Sequence, residues 1–328
     1  MKLLPTAAAL LALSAPRDEV TLRFAPVDEV VLVRTFDAEA SYRLSAVSYW
    51  VDGEEIETEA EPADLRMEFQ EHVQVRDTLG ASAAGRPETL ERAFLELSQE
   101  TSWSAGEESS STSSKSPFVN RRVRFTWDDE DERYAVEAAD DGELEEELAE
   151  LLDEDMDLRL VLPDGEVEVG DEWDVDVRLY LAFMWPSGLL EWQEGEDAPS
   201  PEDRARNRQT IENLSGEGRA RLSEIVEEDG RSVAVIALEL DLATELEFEQ
   251  EMGEQTLTVT TQIARTLEGE LRWDLAAGHA LSAELEGEAT RTTTRSGEVE
   301  NEEGESYTLA ESEHHEGTLR YRATIEEE

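Results

Sequence analysis

The chain has 328 residues, with 28 Lys plus Arg against 82 Asp plus Glu, which gives a formal net charge of −54. Binding of nucleic acid through phosphate neutralisation needs clustered basic residues, so this charge balance excludes that class of partner. There is no cysteine, which excludes disulfide scaffolds, thiolate metal sites, cysteine nucleophiles and lipidation on a cysteine. Apolar residues make up 39% of the chain, enough to form a buried core.

The first fifteen residues have the pattern of a secretory signal peptide. A charged Met1-Lys2 start is followed by an apolar run from Leu3 to Leu13, and then by small and charged residues. This run is too short to span a bilayer, and no later segment approaches the roughly eighteen consecutive apolar residues of a membrane helix. The sequence therefore predicts an exported protein, periplasmic or extracellular, with no integral membrane segment after signal removal. A buried N-terminal helix is the alternative.

Long stretches alternate between apolar and polar residues, which predicts β-strands with one buried face. The clearest stretches are 65–75, 173–185, 234–248, 257–273 and 319–325. Gly-containing joints such as Asp229-Gly230 and Ala277-Gly278 predict hairpins between consecutive strands. Sheets with strands of roughly 50 Å usually curl. We therefore expect a mainly all-β protein, built as a strongly curved antiparallel meander sheet or half-barrel.

One amphipathic α-helix is expected over 143–153, where four leucines fall on a single stripe. These leucines are Leu144, Leu148, Leu151 and Leu152. A second, weaker helix is expected from Pro201 to Leu214. The helix at 143–153 should pack against the sheet and belongs to an N-terminal β-rich half, 16–165. A C-terminal long-stranded sheet follows over 166–328, and the two halves could form one continuous domain.

Two segments are expected to lack regular structure because they are too polar to pack. They are Ala105–Pro117, which is rich in Ser, and Ser187–Arg208, which mixes Gly, Pro and acid. The second contains Leu189, Leu190 and Trp192, which predicts either local packing of these side chains or a flap that covers something apolar.

Motifs for catalysis, phosphate binding and metal binding are scarce. The acidic run Asp153–Asp157 copies the start of a calcium loop, but Leu158 replaces the required glycine and Asp164 the final glutamate. We interpret this run as the solvated end of a helix, and all four histidines as surface residues: His72, His279, His314 and His315. The sequence therefore predicts no catalytic residue, no metal and no cofactor. An exported hydrolase with paired carboxylates is a distant alternative.

The most distinctive local motif is Val-x-Val-Gly-Asp-x-Trp at 167–173, preceded by a proline turn at Pro163. It resembles a motif of uncharacterised exported β-rich proteins and lipoproteins of bacteria. The layout of the chain is also similar to that of periplasmic half-barrels that carry lipids or lipoproteins. This resemblance implies export and a curved sheet, but no established activity and no functional residues. The chain lacks the lipidated cysteine that many such proteins have.

The apolar sheet faces raise the question of function, because a single sheet cannot leave that much apolar surface in contact with water. We expect a non-catalytic binding or carrier module whose concave apolar face accepts a lipid or a lipoprotein tail. The residues expected at this face are Trp173, Leu179, Phe183, Trp185, Leu189 and Trp192. The alternative is a structural or surface-interaction protein whose core is filled and which has no small-molecule site.

Overall fold

A computed structural model describes residues 19–27, 29–56, 64–140, 142–194, 200–252, 255–300 and 306–328. The predicted signal peptide, residues 1–15, lies outside the described residues, so cleavage and export stay predictions. No helix in the described ranges combines the length and the apolar character needed to cross a membrane.

The first half of the chain forms short and long strands. They are β1 (Val20–Thr21), β2 (Val31–Val51), β3 (Glu54–Ile56), β4 (Leu65–Leu79), β5 (Ser82–Ala83), β6 (Arg86–Pro87), β7 (Thr89–Ala105), β8 (Glu108–Lys115), β9 (Arg122–Asp128) and β10 (Arg133–Ala138). The second half contains the helices α1 (Glu146–Ala149), α2 (Leu179–Met184) and α3 (Pro201–Glu212), and a 3-10 turn at Arg159–Val161. Its strands are β11 (Glu166–Val167), β12 (Glu172–Asp174), β13 (Gln193–Glu194), β14 (Ser215–Glu228), β15 (Arg231–Met252), β16 (Gln255–Asp274), β17 (His279–Glu300) and β18 (Ser306–Glu327).

One 14-stranded antiparallel sheet contains most of these strands, in the order β10-β9-β7-β4-β2-β18-β17-β16-β15-β14-β12. β3, β8 and β13 pair beside this path. The sheet does not close on itself, since β10 and β12 are its edges. The hairpins predicted at Asp229-Gly230 and Ala277-Gly278 join β14 to β15 and β16 to β17. The expectation of a mainly all-β, strongly curved antiparallel sheet is confirmed.

The concave side of the sheet is covered by residues 142–192, which we call the central segment. Its buried side chains, among them Met156, Val161 and Phe183, belong to the same apolar cluster as the inward residues of the long strands. α2 contacts β2 and β18, two strands in the middle of the sheet. The protein core therefore lies between the concave face and the central segment.

Glycines on the inward face mark where neighbouring strands come closest. A Cβ atom added to Gly269 would lie 1.8 Å from the Glu284 carbonyl oxygen, and one added to Gly287 would lie 1.9 Å from that of Thr266. Any side chain at these positions would collide with backbone, so glycine is required for the local approach of β16 and β17.

The strand expected over 173–185 is wrong. Only Glu172–Asp174 is extended, and the chain then turns into α2, which buries Leu179, Tyr180 and Phe183. Even-numbered positions such as Tyr180 and Met184 are also apolar, so both faces of the segment can pack and the alternation does not select a strand.

The helix expected over 143–153 is much shorter, since α1 covers only Glu146–Ala149. After it the chain turns, and Leu152 forms a β-bridge with Gly188. Leu144, Leu148 and Leu152 are partly buried and still pack against the core. The backbone that positions them is a short helix followed by a turn and a bridge instead of a continuous helix.

The two segments expected to be irregular both contain regular structure. The Ser-rich stretch forms β8, which pairs with β7 and with β13. Main-chain hydrogen bonds need no apolar side chains, so the Ser-rich sequence of β8, most of which is exposed, still pairs with its neighbours. Residues 187–208 include β13 and the start of α3, whose capping box is formed by Ser200 and Asp203. α3 confirms the weaker helix predicted from Pro201.

Candidate functional site

A cluster of buried charged residues links the central segment to the sheet through ion pairs and hydrogen bonds. Both Arg34 on β2 and Arg92 on β7 pair with Asp77 on β4, and all three side chains are fully buried. Arg34 also pairs with Asp157 of the central segment. Arg92 donates to the carbonyl oxygen of Asp153 at 2.7 Å, so charges on three neighbouring strands hold the loop at 153–157.

The run Asp153–Asp157 is therefore not the solvated end of a helix. Glu154 and Asp157 are buried and paired, Glu154 with Arg159 and Asp157 with Arg34. Asp153 and Asp155 accept hydrogen bonds from the backbone two residues ahead, at 3.0 and 2.9 Å, which fixes the loop. These acids have a structural role within the core.

A partly open cavity of about 730 Å³ lies between the concave face and the central segment. β2, β4 and β18 contribute small and apolar residues to its wall, including Ala40, Phe69 and Leu319. The central segment contributes Met184 and Trp185. Protein interiors are close-packed and have few voids larger than a water molecule, so a space of this size is a distinct feature of the core.

Three of the six residues expected at a binding face line this cavity, and three do not. Trp185, Leu189 and Trp192 form part of its wall. Leu179 and Phe183 are completely buried in the core beside it. Trp173 lies at the sheet edge, where its indole Nε1 donates to the Val161 carbonyl oxygen at 2.7 Å.

Glu71 is a buried carboxyl group in the cavity wall, only 5% exposed. It follows Met67 and Phe69 on the inward face of β4. Burial raises the pKa of Glu71 to about 7, against the opposing effect of hydrogen bonds from Gln99 and Trp192. The bond from Gln99 Nε2 measures 2.9 Å. Near neutral pH this carboxyl group is therefore partly protonated.

Two arginines line the cavity opposite the central segment. Arg265 on β16 is 7% exposed, and its Nε and one Nη have no hydrogen-bond partner in the described part of the chain. Arg291 on β17 is half-buried, and its Nε is likewise without a partner there. Burial lowers the pKa of Arg291 from its usual value.

Two tyrosine side chains line the same cavity as these arginines. The hydroxyls of Tyr180 on α2 and Tyr321 on β18 lie 2.7 Å apart and share a hydrogen bond. The Cζ atom of Arg265 lies 5.2 Å from the centre of the Tyr180 ring, within range of a cation–π contact. The tyrosines thus form a polar border beside the arginines.

Two of the histidines are buried, which corrects their interpretation as surface residues. His279 is 2% exposed, and its Nδ1 donates to the Ala280 carbonyl oxygen at 2.7 Å. His315 is 3% exposed and lies opposite Arg291 in the pairing of β17 with β18. Burial lowers the pKa of His315 and the charge of Arg291 lowers it further, against the opposing effect of Glu313.

The sequence analysis did not identify Glu71, Arg265 or Arg291, although the sequence contains a signal for them. Each is a charged residue at an inward position of an alternating strand; Glu71 and Arg265 have apolar neighbours of the same parity on both sides, and Arg291 lies between Ala289 and Thr293. Arg34 and Asp77 follow the same rule, and they form the structural cluster. The signal therefore finds buried charge but does not distinguish a paired charge from an unpaired one.

Comparisons with known proteins leave the site without a named counterpart. No family model matches the chain, and no curated protein matches it. Among solved structures, the InvG secretin domain beta-barrel of Salmonella is similar at 10% identity with a TM-score of 0.13, over 92% of this chain and 64% of that one. The chain thus spans less than two thirds of the secretin chain.

Two further solved structures are similar at the same low level. A Pseudomonas aeruginosa FadL homologue is 7% identical with a TM-score of 0.14, over 91% of this chain and 90% of that one. The P. putida toluene transporter TodX is 8% identical with a TM-score of 0.11, over 91% and 90%. Scores this low carry no argument about the fold or the function of this chain.

Proposed function

We propose that the protein is a non-catalytic carrier that binds an apolar, lipid-like ligand in the cavity under the central segment. The observation that carries this proposal is the cavity itself, about 730 Å³ in a core that is otherwise continuous. Small-molecule sites are typically clefts of about 300–1,000 Å³ with mainly apolar walls and a few polar groups. Met184, Trp185 and Leu189 supply such a wall.

Quenching of tryptophan fluorescence by a bromine-substituted octadecyl chain, offered as the alcohol and as the carboxylate, tests this proposal. We expect saturable quenching by at least one of the two, because Trp185 and Trp192 line the cavity and bromine quenches at contact. Trp185→Phe and Trp192→Phe should each remove part of the quenched signal. Trp103→Phe should remove none, since Trp103 is 42% exposed on β7 and does not line the cavity.

A variant that fills the cavity gives the decisive comparison. Ala40→Phe adds a ring at the cavity wall and should abolish saturable quenching. Ala46→Phe adds the same ring at an exposed position of the same strand and should leave quenching intact. If neither the brominated alcohol nor the brominated carboxylate quenches the fluorescence of the wild-type protein saturably, the proposal fails. The alternative, a structural or surface-interaction protein with no small-molecule ligand, then takes its place.

A further inference from the structure

Most arginines in the described part of this acidic chain are paired with carboxylates. In the described ranges, five have no carboxylate oxygen within 4.0 Å, namely Arg23, Arg208, Arg221, Arg265 and Arg291. Arg23, Arg208 and Arg221 are exposed, so water solvates their charge. Arg265 and Arg291 are the two that line the cavity.

A guanidinium removed from water without a counter-charge is costly, and an excess of acid in the chain makes such an arrangement easy to avoid. Arg265 is more than nine-tenths buried, and its Nε–H and one Nη–H group have no partner among the described residues. The Arg34 and Arg92 guanidiniums, equally buried, are compensated by Asp77. The contrast indicates that none of the described carboxylates supplies the counter-charge of Arg265, which leaves this guanidinium available to an anionic ligand.

The two cavity arginines can reach one group together. They lie on neighbouring antiparallel strands and on the same inward face, with Arg265 opposite Ala289 and Arg291 opposite Ile263. This is a diagonal relation across the pair, at roughly 7–8 Å between backbones, which long side chains span easily. Planar guanidinium forks match carboxylate and phosphate oxygens better than they match any neutral group.

Five acids share the cavity wall: Glu39 and Glu68 are exposed and lie beyond ion-pair distance of both cavity arginines, and the other three are engaged elsewhere. Glu191 pairs with Arg204, with 2.6 Å between its Oε1 and the arginine Nε. Asp203 pairs with Arg206, and its carboxylate accepts hydrogen bonds from the Ser200 amide and hydroxyl at the start of α3. Glu71 accepts from Gln99 and lies beyond ion-pair distance of both cavity arginines. None of these three acids neutralises Arg265 or Arg291.

We infer that the ligand is an anionic amphiphile, whose head group is bound by Arg265 and Arg291 while its apolar chain lies against Met184, Trp185 and Leu189. This inference rests on the proposed function and adds the chemistry of the head group. A fatty-acid carboxylate and the phosphate of a single-chain phospholipid present the same oxygens to the two guanidiniums. Tyr180 and Tyr321 also line the cavity, and because their hydroxyls share one hydrogen bond, one hydroxyl proton remains to be donated to the anion.

Binding of three ligands that share one chain tests the inference: oleate, oleoyl lysophosphatidate and oleyl alcohol. For the delipidated wild-type protein, we expect at least one anion to bind about tenfold or more tightly than the alcohol, because hydrogen bonds to charged groups are stronger than neutral ones. The preferred anion identifies the head-group source. Arg265→Gln and Arg291→Gln should each remove this preference, because they weaken binding of the anion more than binding of the alcohol.

The control is Arg221→Gln, which removes the same charge from an exposed, unpaired position on β14 and should keep the preference. If the wild-type protein binds all three ligands equally, the head-group inference fails while the proposed carrier function stands. If it binds none of them, both fail. Loss of the preference in the Arg221→Gln variant would also overturn the inference, since net charge alone would then explain it.

Thermal unfolding of the ligand-free protein gives an independent readout. Arg265→Met replaces an uncompensated cation with an apolar side chain of similar reach, so the Tm should rise, and the preferred anion should no longer stabilise the protein. If Arg265 served only for packing, Arg265→Met would lower the Tm, and the anion would still stabilise the protein. A lower Tm with the anion effect retained would show that Arg265 is structural and would overturn the inference.

Discussion

Glu71 shows how a single carboxyl group couples the cavity to pH. Its folded-state pKa of about 7 exceeds the ordinary value of 4.5, so the native protein holds a proton that the unfolded chain releases. Stability from this group is therefore fully present below pH 4.5 and falls as pH rises toward 7. The cause is burial among apolar side chains of the cavity wall, which disfavours the charged form.

The variant Glu71→Gln should flatten this dependence. Wild-type protein is expected to lose roughly 3 kcal/mol of unfolding free energy through this group between pH 4.5 and 8, since each pKa unit corresponds to about 1.4 kcal/mol. Urea unfolding at several pH values measures the loss for both proteins. Glu68→Gln, at an exposed position of the same strand, serves as the control and should follow the wild-type curve. Identical curves for wild type and Glu71→Gln would contradict the prediction.

At the scale of elements, the joint between the sheet and the central segment depends on Asp77. Asp77→Asn leaves the buried guanidiniums of Arg34 and Arg92 without their common counter-charge. Breaking a buried pair from one side typically costs about 3–5 kcal/mol, and we expect a loss of this size in the free energy of unfolding. Chemical denaturation at neutral pH measures it.

An exposed pair provides the matched comparison for Asp77→Asn. Arg66 Nε and Asp64 Oδ1 are 3.1 Å apart, and both side chains are at least 60% exposed. Asp64→Asn should therefore change the free energy of unfolding little. An equal effect of the two substitutions would show that the buried cluster has no special role in holding the central segment.

The elements also show where sequence patterns are informative. Strands such as β16 have a clean alternation with acid, Thr or Gln outside, so one face must be buried and the strand is predictable. Residues 173–185 are apolar on both parities around α2, and a short apolar run fits a buried helix as well as a strand. The arginines at 265 and 291 are visible on the inward face in the sequence. That they lack partners depends on non-local packing, which alternation does not encode.

At the scale of the whole molecule, the acidic outer face sets the response to salt. Strand register places Glu239 opposite Glu268 and Glu268 opposite Glu286, so like charges form a row across three strands. Like charges directly opposite each other destabilise a sheet, and a net charge of −54 adds a general repulsion. Both effects are screened over about 10 Å at 0.1 M salt and about 3 Å at 1 M.

We therefore expect the thermal unfolding midpoint to rise as sodium chloride increases from about 0.1 to 1 M. Glu268→Gln interrupts the row and should raise the midpoint at low salt while reducing its slope against salt. An uncharged osmolyte at matched osmolality separates screening from general exclusion effects. A midpoint that stays flat across this range would contradict the expectation.

The position of β18 affects the order in which the sheet can assemble. β18 ends at Glu327, yet it lies between β17 and β2 in the middle of the sheet, and the Glu328 amide donates to the Val31 carbonyl oxygen at 3.0 Å. In the described sheet, the strands from β2 to β10 and those from β14 to β17 join through β18, so the two sides of the sheet stay apart until β18 has paired with both neighbours. Contacts of such long sequence separation form slowly. Pairing of β18 with β17 and β2 is thus the step that allows the core to close.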